Sequence, residues 1–71
     1  MPWTLEQALE RAAGKILAAE SLCTRQLDLI HRLEAGHRGI EGAAQLLLLL
    51  EDSLRLFRLH QARLQSWDGK R

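Results

Sequence analysis

Leu33-Glu34-Ala35-Gly36-His37-Arg38-Gly39-Ile40 divides the chain into two halves of similar length, and the reading of these eight residues decides the fold. Gly36 follows Ala35 where a left-handed C-terminal cap is expected, and Gly39 stands just before Ile40, where a second helix starts. Gly36 is therefore the position expected to take a positive φ. Helices joined by so short a connection lie antiparallel. The chain is expected to be all-α, an antiparallel two-helix hairpin with a helix over about 5–35, a turn over about 36–39 and a helix over about 40–67.

Both halves carry the pattern such a hairpin requires. Leu9, Ile16, Cys23 and Ile30 recur every seven residues, and Leu5, Ala12, Ala19, Gln26 and Leu33 fill the alternate spacing. After the turn Ile40, Leu47, Leu54 and Gln61 form one column, and Ala43, Leu50, Phe57 and Leu64 the other. These are a/d seams. Folding the chain about the turn sets Ala19 opposite Phe57, Ala12 opposite Leu64 and Leu9 opposite Trp67, so that small residues meet large ones.

Local chemistry agrees with the seams. Proline occurs only at position 2, and strong helix formers dominate. Thr4, followed three residues later by Gln7, is a capping box at the start of the first helix, with Glu6 and Glu10 near its positive end. Gly14 lies off the seam and is not expected to break the helix.

A chain of 71 residues buries only about 60% of the surface its unfolded form exposes, so stability calls for a supplement. The single cysteine, Cys23, excludes an intrachain disulfide and a zinc-finger pattern. Self-association remains. The leucines outside the seam supply a surface for it: Leu22, Leu29, Leu48, Leu49, Leu56 and Leu59 are the expected oligomer interface, and burial against another copy gives a four-helix bundle. Another helical protein is the alternative partner.

Little else carries chemistry. Asp28-x-x-His31 puts a carboxylate and an imidazole on one helix face, but that face points away from the seam and the second helix has no matching motif. His60 borders the seam beside Gln61, where it meets Lys15 or Ile16, and His37 lies in the turn. Cys23 sits in the seam facing Leu54 and behaves there as a small hydrophobe. No phosphate loop, nucleophile elbow or paired acid dyad is present. No enzyme activity, metal, cofactor or small-molecule substrate is expected.

The formal charge is +1, yet residues 53 to 71 carry Arg55, Arg58, Arg63, Lys70 and Arg71 against Asp68 alone. Arg55, Arg58 and Arg63 are therefore candidate anion-binding residues, which makes a basic module for nucleic acid or an anionic membrane surface the alternative function. The longest apolar run, Leu46 to Leu50, is far short of a membrane span, and Met1-Pro2-Trp3-Thr4 does not begin a signal peptide. A cytoplasmic location is the resulting expectation.

Leu33-Glu34-Ala35-Gly36-His37, followed by Ala43, Leu46-Leu47, Leu54 and Leu59, resembles a group of short uncharacterised bacterial helical-hairpin proteins in which Gly-His ends the first helix and a Leu-rich helix follows. The likeness covers under half the chain. Where that group often has an acidic residue and a capping Thr, this chain has Arg38 and Gly39, which implies a weaker cap on the second helix. The resemblance implies the hairpin and no activity. In size the chain is also similar to helical-hairpin co-chaperones of bacterial secretion systems, without a shared motif. The functional expectation is a small non-catalytic interaction or scaffold protein, adaptor-like or chaperone-like, acting as a helical bundle.

Overall fold

A computed structural model describes the backbone of residues 4–69 and the side chains of residues 4–67. Two helices, α1 (Leu5–Ala35) and α2 (Glu41–Gly69), pack against each other as a hairpin, with no strand among the described residues. The molecule is a rod 55 Å long and 17 by 16 Å across. At 1.5 Å per residue, 31 residues of α1 account for most of that length.

The start of α1 is secured as the sequence implies. Thr4 is the N-cap in extended conformation; the Gln7 amide donates to its Oγ1 at 3.2 Å, and the Thr4 amide donates to Gln7 Oε1 at 2.9 Å. Two orphan donors at the helix start are thereby satisfied reciprocally. Gly14 is exposed, and α1 runs through it unbroken.

The end of α1 corrects one expectation. Gly36 has φ −88°, and the residue in the left-handed region is His37, with φ 57°. The backbone explains the exchange. The Arg38 amide donates to the Leu33 carbonyl at 2.8 Å, and the His37 amide donates to the Glu34 carbonyl at 3.0 Å. This six-to-one and five-to-two pair of bonds is a Schellman motif, and its left-handed position is one residue later than Gly36. Histidine is among the side chains that tolerate that region at a cost. The start of α2 is simpler: the Ala44 amide donates to the Ile40 carbonyl at 2.8 Å, and Ile40 has no oxygen with which to cap the free amides after it.

Packing follows the two seams. Ala12, Ala19, Gln26 and Ile30 are the buried residues of α1, and Leu64 is the buried hydrophobic of α2; every other seam residue from Leu5 to Gln61 is half-buried. Ala12 and Leu64 line one cleft, and Ala19 and Phe57 line another. Among the described residues Gln26 is the one buried polar side chain, and its Nε2 donates to the Ala43 carbonyl at 2.9 Å. Ala43 lies seven residues nearer the turn than Leu50, which folding about the turn sets opposite Gln26, so the bond departs from that expected pairing. The Ala43 carbonyl points along α2 toward Gln26, because helical carbonyls face the C-terminal end. Trp67 does not close the open end over Leu9 and stays 62% exposed.

Two substitutions test this account. Ala19→Trp, at a site only 4% exposed, overpacks the seam against Phe57 and is expected to cost roughly 1 to 3 kcal/mol in thermal unfolding. His37→Gly removes left-handed strain worth about 1 to 2 kcal/mol per L-residue, offset in part by chain entropy, and is expected to raise the melting temperature. Gly36→Ala leaves it nearly unchanged, since a Cβ there meets its nearest atom at 3.6 Å. Equal losses at residues 36 and 37 would contradict the assigned turn.

Candidate interaction surface

A seam fixed on one stripe of each helix leaves the hairpin with two flanks, and the structure shows which columns of side chains meet on each. Lys15 and His60 line one cleft; Lys15, Leu22 and Ser53 line the next. These residues therefore share a flank, and the seven-residue spacing carries Leu29, Leu46 and Trp67 onto it. Arg11 and Ala18 line the same clefts from the adjoining column of α1, which continues through Arg25 and Arg32; Leu49, Leu56 and Arg63 occupy the corresponding column of α2. On the opposite flank Arg58 Nη2 lies 2.9 Å from Glu20 Oε2 and ties α2 to α1.

The first flank carries an apolar patch. Leu22, Leu29, Leu46, Leu49 and Leu56 are between 38 and 64% exposed; the first four lie in the half of the hairpin nearer the turn, and Leu56 lies just past its middle. A fully buried Leu is worth roughly 1.5 to 3 kcal/mol, and a contiguous patch of leucines is the surface feature that marks an interaction site. Leu46 belongs to it, although the run Leu46 to Leu50 disguises it as core; the seven-residue column shared with Ser53 and His60 is the signal that separates it. Leu48 and Leu59, expected in the same strip, are exposed on other faces: Leu48 on the Glu20 flank, and Leu59 on the outer side of α2. Of the six leucines expected there, the structure groups Leu22, Leu29, Leu49 and Leu56.

Charge is divided between the flanks more sharply than the leucines, since Leu17, Leu27 and Leu48 are exposed on the Glu20 side. Among the described residues the leucine flank contains Arg11, Lys15, Arg25, Arg32 and Arg63 and no carboxylate, whereas Glu6, Glu10, Glu20, Glu34, Glu41 and Glu51 fall on the other. Asp28 and Asp52 point outward, where Asp28 pairs with Arg32 at 3.2 Å and Asp52 with Arg55 at 2.6 Å. The structure does not bring the basic trio of α2 together. Arg55 and Arg58 are each held by a carboxylate, and Arg63 alone of the three lies on the leucine flank. A tally of charge along the chain concealed this, because residues adjacent in sequence stand 100° apart around a helix.

The remaining chemistry is sparse. Cys23 is a half-buried free thiol in the seam. No group of three His, Cys, Asp or Glu side chains converges as metal ligands among the described residues, and no helix there is long and apolar enough to cross a membrane. No protein-family model, curated protein or solved structure matches the chain.

The Glu20–Arg58 bridge is half-exposed on both partners, so its contribution falls in the range of roughly 0 to 1 kcal/mol typical of surface pairs. A double-mutant cycle with Glu20→Gln and Arg58→Gln is expected to give a coupling in that range, shrinking with added salt. A coupling of several kcal/mol would mean that this flank, and not the seam, holds the helices together.

Proposed function

We propose that the protein is a non-catalytic interaction module that works as a homodimer, with the leucine flank of one hairpin packed on that of a second to complete a four-helix bundle. An adaptor-like or chaperone-like role fits such an assembly. The observation that carries this reading is the exposed, carboxylate-free cluster of Leu22, Leu29, Leu46, Leu49 and Leu56. A second supports it: among the described residues no large side chain is fully buried, so a single hairpin has a seam and no core.

The position of the patch suits a two-fold partner. Its centre lies about 10 residues from the turn and about 20 from the open end, or roughly 15 and 30 Å. An antiparallel pairing about that centre stacks the leucines of the two copies and carries Arg11, Lys15 and Arg63 to or beyond the partner's turn. Those three cations then lie clear of the paired leucines, and Arg25, level with the patch centre on the outer column of the flank, is the cation that stays near the two-fold axis.

Leu49→Glu with Leu56→Glu places charge within the patch and is expected to cost several kcal/mol of association, giving a monomer with a lower melting temperature. Leu48→Glu with Leu59→Glu, equally exposed but on other faces, is expected to leave the dimer intact. Sedimentation equilibrium separates the two. A dimer that survives the first pair or dissociates with the second overturns the reading.

A further inference from the structure

Beyond the leucines, toward the open end, the same flank holds a cleft of about 220 Å³ with Arg11, Lys15 and His60 at its rim and Ala8, Ala12 and Leu64 beneath them. Arg11 and Lys15 are one helical turn apart on α1 and so adjacent on its surface, and His60 faces them from α2. None of the three takes part in a salt bridge among the described residues, and no carboxylate there shares the flank.

This cleft adjoins a second groove of about 360 Å³, with Lys15 lining both. Ala18, Ala19, Leu22, Leu50 and Phe57 form the apolar walls of that groove, with Ser53 the only other polar side chain along it. Lys15 Nζ lies 6.0 Å from the centroid of the Phe57 ring, within reach of its π-face, so the ammonium marks the boundary between the charged cleft and the apolar groove.

We infer that this flank binds a soluble single-chain amphiphilic anion, with its phosphate or carboxylate head at Arg11, Lys15 and His60 and its alkyl chain along Ala18, Leu22 and Phe57. The charge argues for an anion, since the rim offers N–H donors and no acceptor carboxylate, and charge-assisted hydrogen bonds are the strong ones. The apolar walls of the adjoining groove argue for an attached chain, since an inorganic anion gains nothing from Ala18, Leu22 and Phe57. From Lys15 to Leu22 the groove runs seven residues along α1, or roughly 10 Å, which suits one short chain and not a bilayer. A second copy over the leucines reaches the level of Lys15, so it covers Leu22 and the groove and leaves only the cationic cleft open; chain binding and self-association therefore share that surface.

Titration calorimetry with decyl phosphate below its micelle concentration tests the assignment, with inorganic phosphate, decyltrimethylammonium and vesicles of anionic lipid as parallel probes. Decyl phosphate is expected to bind at one site per hairpin, and the other three at least about tenfold more weakly. Arg11→Gln with Lys15→Gln removes head-group contacts, and Ala18→Phe fills the groove at an exposed position; each is expected to weaken binding at least about tenfold while helicity is retained. No binding of decyl phosphate, equal binding of the alkyl cation, of inorganic phosphate or of the vesicles, or undiminished binding by both folded variants overturns it. Sedimentation of the ligand-free protein under the same conditions reports separately on the dimer.

Discussion

Two helices can touch along one stripe only, and the rest of this structure depends on that constraint. The stripe is filled economically: Ala12 and Ala19, the most buried residues, let the helices approach where Leu64 and Phe57 present bulk, and Gln26 meets its hydrogen-bonding need on the Ala43 carbonyl without leaving the seam. Yet one stripe cannot surround a side chain, and most seam residues stay half-buried. A layer of this kind contributes far less than a closed core, and conformational entropy acts on every residue it orders. In the proposed dimer the exposed leucines of a second copy complete that layer.

The division of the surface follows from the same geometry. With the seam fixed, each remaining column of side chains belongs to a definite flank, and one flank is left with leucines, arginines and Lys15 while the other collects the glutamates. The Glu20–Arg58 bridge lies on the acidic flank and withdraws one arginine from any role elsewhere. Arg55 is likewise held by Asp52 on the exterior of α2. The leucine flank thus carries most of its exposed leucines near the turn, beside Arg25 and Arg32, and Arg11, Lys15 and Arg63 toward the open end, and the proposed occupants differ accordingly: a second copy and an anion.

The seam, the turn region and the N-terminal cap were legible in the amino-acid sequence because each rests on a spacing: seven residues for the columns from Leu5 to Leu33 and from Ile40 to Leu64, three for Thr4 and Gln7. What escaped was whatever depends on angle or on the choice of one residue over its neighbour. A Gly-His pair announces a helix end, but the Schellman bonds put the left-handed residue at His37 and leave Gly36 with an ordinary φ. Leu46 was lost inside a run of five leucines whose members point to different sides. The cleft formed by Arg11, Lys15 and His60 joins residues up to 49 positions apart, and only the pairing of the helices assembles it. Trp67 matches Leu9 in register yet stays exposed, because it follows the His60 column on the flank and not the seam.

The central claim is that one hairpin holds a seam and that pairing supplies the core. The melting temperature followed by helical circular dichroism over a wide range of protein concentration tests it most directly, because a fold stabilised by association gains stability by mass action. The account predicts a melting temperature that climbs steadily with concentration, with helicity and dimer lost together on dilution. A melting temperature independent of concentration, in a protein that sediments as a stable helical monomer throughout, would contradict it.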